Sequence, residues 1–345
     1  MDILAVDPAD DAAMAAWHAA YLEADLFERE SPTPWQLPEM LAEARATQTH
    51  NRFAFVLGRD ADGPGDAVAA GRITLDLVSN SHIAFVEVYV RTAHRRRGHG
   101  RAVLAQLEEI AHAWGCTSSM TESAWASDLG PDGTGAPGRE FARATGFHLG
   151  LVDVQRAVLL PVADDLLAVL ADDTRAAYEP DYRLDTWTGP VPDVYAEGWA
   201  RLGSLVATEA PMGELEFDPE SPSVEALRER EAVQEAQGRL KHNTVAVDAD
   251  GAVVAYSDIA TTVHEPGVGY QWGTLVDPAH RGRRLGLAVK VANLAHLQVT
   301  RPDITRVITY NAEVNEHMIG INRQLGFEPV EYLGEFQKSL AGSGE

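Results

Sequence analysis

Cysteine is almost absent from this chain: Cys116 is the single one in 345 residues, so neither an internal disulfide nor a multi-cysteine zinc site can form. Its setting after Trp114 and Gly115, at a helix-to-strand junction, suits a small buried thiol. Positive charge is also scarce. Against 52 Asp and Glu stand 28 Lys and Arg, a formal net charge of -24. Phosphate attraction dominates binding to nucleic acids and anionic membranes, so neither is expected as a partner. The same excess draws in cationic small molecules, although solubility alone also accounts for it. No apolar run approaches membrane-spanning length, and residues 1–8 lack a basic start and an apolar core. A cytoplasmic protein is expected. Nothing in the composition sets an oligomeric state.

Eight of the 28 basic residues fall in two similar stretches. Residues 90–101 read Val-Arg-Thr-Ala-His-Arg-Arg-Arg-Gly-His-Gly-Arg, and residues 276–287 read Val-Asp-Pro-Ala-His-Arg-Gly-Arg-Arg-Leu-Gly-Leu. Each follows a β-branched and aromatic run, 83–90 and 270–276, that reads as a strand. Each also opens a helix, with Val103, Leu107, Ile110, Ala111 and Trp114 in helical spacing after the first, and Leu287, Val291, Leu294 and Ala295 after the second. The first turn of a helix carries unpartnered N–H groups and the positive end of the dipole, and glycine lets a phosphate approach that backbone. Arginines add charge-assisted hydrogen bonds. A solvated basic turn is the plainer reading of one copy, and recurrence weighs against it.

Arg95-x-x-Gly98-His99-Gly100 resembles the acetyl-CoA pyrophosphate loop of the GNAT N-acetyltransferase superfamily, Gln/Arg-x-x-Gly-x-Gly/Ala. Arg281-x-x-Arg284-Leu285-Gly286 departs from it at the middle glycine. The resemblance implies a mixed α/β fold of α+β type made of two tandem GNAT-like domains. Each would be a twisted, mostly antiparallel sheet with splayed central strands and flanking helices. It also implies acetyl-CoA as co-substrate, no metal, and a small-molecule primary amine as acceptor. The cofactor would be held by Arg95, Arg96, Arg97, Gly98, His99 and Gly100, and by Arg281, Gly282, Arg283, Arg284, Leu285 and Gly286. Backbone N–H groups of Val88, Val90, Leu275 and Val276 would receive the thioester and pantetheine.

The order of elements repeats. Two helices across 10–46, with Trp17, Tyr21, Leu26 and Leu41 toward the core, precede strands at 53–57 and 67–75 around a glycine-rich turn at 60–66. After the first basic loop come a strand at 117–121, a glycine-rich loop at 127–138, a short helix at 139–144 and a strand at 149–162. The loop reads as a surface insertion or a substrate lid. The second half brings helices at 191–207 and 224–237, strands at 243–248 and 252–261, then the motif strand. Between the helices, the acidic segment 209–222 is a candidate for facing the acceptor. Domains are therefore expected at 1–162 and 181–345, joined by a helical linker at 163–180.

Acyl transfer to an amine needs a polarised carbonyl, an unprotonated amine and a stabilised leaving thiolate. Glu87 lies in the first motif strand where some GNAT enzymes carry a glutamate base; a solvent-facing carboxylate is the equal alternative. The second half has Gly273 there, so its base would come from Glu313, Glu316, His317 or Asp258. Residues 308–327 resemble the family's fifth strand and fourth helix, which places Asn311, Asn315 and Asn322 beside the pantetheine arm. Asn315 also suits a helix cap. The family's tyrosine acid is replaced by Ala142 in the first half and by Asn322 in the second, which makes Asn322 the candidate at that position. Glu122 falls opposite Asn311. The expectation is an acetyl-CoA-dependent N-acetyltransferase with a catalytic second half and a partly degenerate first half. Catalysis through Glu87, or a non-catalytic acyl-CoA-binding module, are the alternatives.

Overall fold

A computed structural model describes residues 1–60 and 67–340, so most of the glycine-rich turn read at 60–66 lies outside the described residues. In chain order the elements are β1 (Asp2–Val6), α1 (Asp11–Asp25), α2 (Leu37–Arg45), β2 (Asn51–Arg59), β3 (Ala67–Asp76), β4 (Ile83–Val90), α3 (His99–Ala113), β5 (Ser118–Ala126), α4 (Pro137–Ala144) and β6 (His148–Leu159). There follow α5 (Asp164–Tyr178), β7 (Tyr182–Thr188), α6 (Asp193–Ser204), α7 (Val206–Glu209), α8 (Val224–Ala236), β8 (Arg239–Asp248), β9 (Val253–Thr262), β10 (Val268–Val276), α9 (Leu285–Thr300), β11 (Arg306–Ala312), α10 (Glu316–Gln324) and β12 (Glu328–Ser339). The mixed α/β class and the mostly antiparallel pairing are as expected.

The chain forms two compact units that are not contiguous in sequence. The first comprises Met1–Asp153, Gly213–Phe217 and Glu331–Glu345, and the second Val154–Met212 and Asp218–Val330. They differ from the contiguous ranges 1–162 and 181–345 chiefly because β12 joins the first unit. There Glu331 to Ser339 pair antiparallel with Ala126 to Ser118 along the whole of β5.

In the first unit the strand order is β1-β2-β3-β4-β5-β12. The central pair, β4 and β5, is parallel, and its ladder is confined to Ile83–Ser118, Ala84–Ser119 and Phe85–Met120. Beyond that point the strands part. The sheet is covered on one face by α3, through Val103, Leu107 and Ala111, and elsewhere by α1, whose Trp17 is fully buried against Phe55 and Tyr89. Leu26, expected in the core, is 44 % exposed: α1 ends at Asp25 and Leu26 is its C-cap. The second unit repeats the plan with the order β6-β11-β10-β9-β8-β7. Its parallel central pair, β10 and β11, is laddered from Val268–Arg306 to Gln271–Thr309 and then parts; α9 packs Leu287, Val291, Leu294 and Leu297 into the core below it. A bulge in β10 lies between Gln271 and Thr274.

Candidate active site

Each basic loop leaves its motif strand through a 3-10 turn and enters its helix with the same backbone. In the first loop Arg96 (φ 63) and Gly98 (φ 87) are left-handed; in the second, Gly282 (φ 82) and Arg284 (φ 56) are. The two loops have therefore exchanged which position carries glycine. An arginine in the left-handed region costs about 1–2 kcal/mol relative to glycine, so the turn shape is retained against local preference at Arg96 and Arg284. Gly100 and Gly286 face the packed side: a Cβ would sit 3.1 Å from Phe141 at Gly100 and 3.3 Å from Ile321 at Gly286.

Electrostatics separate the loops. Arg95 is tied down, donating to the Val90 carbonyl at 3.2 Å and lying over the Phe27 ring at 4.3 Å. Arg96 and Arg97 are exposed and make no hydrogen bond or ion pair among the described residues. Gly98 caps α3, with nothing within 4 Å of the place a Cβ would take. In the second loop each guanidinium has a carboxylate: Arg281–Glu209 at 2.7 Å, Arg283–Asp181 at 2.8 Å and Arg284–Asp173 at 2.6 Å. Leu285, in the place of His99, turns inward and is 1 % exposed.

The gaps between the parted strands are furnished differently too. In the second unit, Gly273 stands in the bulge because the space its side chain would need is filled: a Cβ would lie 2.6 Å from the Tyr256 ring and 2.9 Å from the Asp258 carboxylate. Asp258 accepts from the Gly273 N–H at 2.7 Å and pairs with Lys241 at 2.8 Å. Leu275 and Val276 continue as strand opposite Tyr256 and Ala255. Asn322 is fully buried, accepting from Lys290 at 2.8 Å and donating to Asn311 at 3.0 Å, while Arg156 donates to Asn311 at 2.9 Å. This interior network supplies the polar partners that an asparagine buried inside a helix needs. Asn315 caps α10, accepting from the Met318 N–H at 3.1 Å. Glu313, Glu316 and His317 are exposed.

In the first unit the gap holds carboxylates. Glu87 accepts from the Tyr89 hydroxyl at 2.7 Å and lies 3.6 Å from Arg72, which also pairs with Glu43 at 2.9 Å. Val88 and Val90 pair with Gly71 and Ala69 on the β3 side, and past Phe85 they have no ladder toward β5. Across the gap Glu122 is accessible to solvent but set among other acids. Loss of hydration, then the charges of Glu87, Glu335 and Asp25, push its pKa up to about 8, with Arg29 opposing. Burial and Asp153 push Glu335 up to about 7. The Asp25 carboxyl is raised as well, by burial first, against the pull of Arg29. Glu331 of β12, 1 % exposed, accepts from the Glu30 N–H at 2.6 Å, the Ser31 N–H at 3.0 Å and the Arg29 guanidinium at 2.9 Å, which fixes the chain leaving α1. The long loop at 127–138 folds back beneath this region, with the Trp125 indole donating to the Gly130 carbonyl at 2.8 Å.

Sequence reasoning passed over Asp25, Glu331 and Glu335, and noted Glu122 only as a departure. A signal was present: Glu122 occupies the strand position at which the second half has Asn311. Glu331 carried none, because its partners lie about 300 residues away in the chain. Among the described residues no group of three or more His, Cys, Asp or Glu is arranged to hold a metal ion, and no helix is long and apolar enough to cross a membrane.

Comparison with known proteins agrees with this architecture. The Acetyltransferase (GNAT) family model matches residues 16–126, the helices and strands of the first unit up to the end of β5. A mycothiol acetyltransferase of Salinispora tropica is 28% identical over 265 residues, 74% of each chain. Among solved structures, a tandem GNAT protein from the clavulanic acid biosynthesis pathway is 25% identical, with a TM-score of 0.78 over 99% of both chains. A GCN5-related N-acetyltransferase from Sphaerobacter thermophilus is 15% identical, with a TM-score of 0.63 over 98% of this chain and 95% of that one, a likeness of fold. With two splayed sheets and two glycine-containing basic turns at helix starts, the chain is similar to tandem GNAT proteins along its length, and residues 16–126 match the GNAT acetyltransferase family itself.

Proposed function

We propose that the protein transfers the acetyl group of acetyl-CoA to a primary amine of a small cationic molecule, and that the first unit does the chemistry. The observation that carries the assignment is the state of the two loops. Arg96 and Arg97 are free to meet a pyrophosphate, whereas Arg281, Arg283 and Arg284 each face a carboxylate. Exposed pairs of this kind are weak, worth about 0–1 kcal/mol each. Their effect on a ligand is larger, because three fixed negative charges beside the loop cancel the potential that would attract phosphate. This reading departs from the expectation of a catalytic second half, and two further observations support it. In the second unit the Gly273 N–H is already given to Asp258, and Asn311 and Asn322 are spent on each other and on Lys290. The family model also falls on the first unit.

In the first unit the gap between β4 and β5 would take the thioester, with acetyl-CoA running from it to Gly98 and the start of α3. An ammonium entering the gap meets Asp25, Glu87, Glu122 and Glu335, which favours a cationic acceptor and lowers its cost of desolvation. The relative named for mycothiol is consistent with a small amine as acceptor. An acyl-CoA-binding module without turnover competes through one observation: Ala142, where the family often has its acid, is buried and supplies no proton. Turnover of acetyl-CoA with an amine separates the two.

The test of the loop assignment is calorimetric titration of acetyl-CoA into the wild type, Gly98→Glu and Gly286→Glu. One site is expected, abolished by Gly98→Glu and retained in Gly286→Glu. The opposite pattern would move the reaction to the second unit.

A further inference from the structure

Glu122 and Glu87 stand level on opposite banks of the gap. The parallel ladder ends at Phe85–Met120, two residues before each of them, and residues two apart on a strand share a face. The row extends on both sides, since Arg72 of β3 is paired with Glu87 and Glu335 of β12 with Glu122. These four positions differ in how they are satisfied. Glu87 is committed to Tyr89 and Arg72. Glu122 and Glu335 have no hydrogen bond or ion pair among the described residues. Like charges directly opposite on paired strands are destabilising, so this juxtaposition works against the fold.

We propose that Glu122 is the general base of the acetyl transfer and that Glu335, brought by the C-terminal strand, is the positioning residue that acts on it; this rests on the reading that the first unit holds the reaction. Glu122 borders the gap where thioester and amine would meet, is open to solvent, and carries no competing partner. Charged groups reach it from every side: Glu87 from β4, Glu335 from β12, Asp25 from α1 and, in opposition, Arg29. Glu335 in turn faces Asp153 of β6. A carboxylate surrounded by other carboxylates gains basicity, and one that titrates near neutral pH is a better match for an ammonium donor than an ordinary glutamate.

The step balances as follows. The Glu122 carboxylate takes one proton from the ammonium; the freed amine attacks the thioester carbonyl carbon, forming the C–N bond. The tetrahedral adduct then breaks its C–S bond. The nitrogen loses its second proton, which leaves with the thiolate as CoA thiol, and Glu122 returns its own proton to water. Products are the amide, CoA and one released proton.

Two measurements on the full chain test this. The first is carbon-13 NMR of carboxyl-labelled glutamate against pH, which needs no acceptor. One carboxyl is expected to titrate at about pH 8, to vanish in Glu122→Gln, and to move to lower pH in Glu335→Gln. The second is CoA release from acetyl-CoA with spermidine and with glucosamine. Glu122→Gln is expected to lower kcat by about 10²–10⁴-fold with acetyl-CoA affinity unchanged. Glu335→Gln is expected to shift the acid limb of kcat/KM to lower pH, with less effect on kcat. Turnover within about threefold of wild type in Glu122→Gln would overturn the base assignment alone. An acid limb unmoved by Glu335→Gln would overturn the positioning role of Glu335. Binding of acetyl-CoA without wild-type turnover of either amine would overturn the acetyltransferase reading and the base with it.

Discussion

Lys290 sits in the second unit at 2 % exposure, its ammonium given Asn322 and the face of Phe327 but no carboxylate among the described residues. Burial alone lowers its pKa from 10.5 to about 7. The sign of the consequence follows from which state binds the proton. Between about pH 10.5 and 7 the unfolded chain takes up a proton that the folded chain refuses, so stability falls as pH drops through that window, by up to about 1.4 kcal/mol per pH unit, and levels off below it. Replacing Lys290 by Met removes the titration. Denaturant unfolding at pH 7 and pH 10 should then show a smaller stability difference for the variant than for the wild type, with the gain concentrated at pH 7. Equal differences in the two proteins would mean that the ammonium finds a counter-charge. Residue-scale features of this kind are only partly legible in sequence. Asn322 in a helix interior announced a polar partner, but its identity depended on α9 and α10 lying side by side.

At the scale of elements, the two basic loops were legible to the residue, because a left-handed turn, a glycine and a helix start are all local. What a loop's arginines face is not local. Asp173 and Asp181 come from the region of α5 and β7, and Glu209 from α7, roughly 70–110 residues before the guanidiniums they meet. If those carboxylates close the second loop, the triple change Asp173→Asn, Asp181→Asn and Glu209→Gln in a Gly98→Glu background should raise acetyl-CoA affinity there. It should cost the fold less than about 3 kcal/mol, since each pair is exposed. Calorimetry and thermal unfolding check both halves of the statement, and affinity unchanged from the background would show that the carboxylates are bystanders. Two strands escaped sequence reading altogether. In β1, Val6 is the single buried residue, and β7 has none, so neither carries the buried apolar run by which the other strands are recognised.

For the molecule as a whole, the decisive feature is where β12 goes. The first unit takes nine of its residues alongside β5, and with them Glu331, which anchors the segment after α1, and Glu335, which faces Glu122. A fragment of residues 1–162, the first domain as sequence alone would cut it, lacks this strand and leaves the β5 backbone unpaired along its length. It is expected to be poorly folded by circular dichroism and to bind acetyl-CoA weakly or not at all by calorimetry. A stable, binding-competent fragment would show that β12 is dispensable.

The sequence by itself determined the class of fold, the repeat and the two loops, since periodicity, glycine placement and charge clustering are short-range properties that survive in any context. Tertiary structure alone decided which loop has its arginines paired with carboxylates, which carboxylates line the gap, and which half receives the final strand. Those outcomes depend on strand register and on ion pairs between segments as much as 302 residues apart, where burial and neighbouring charge, rather than residue type, set what a side chain can do.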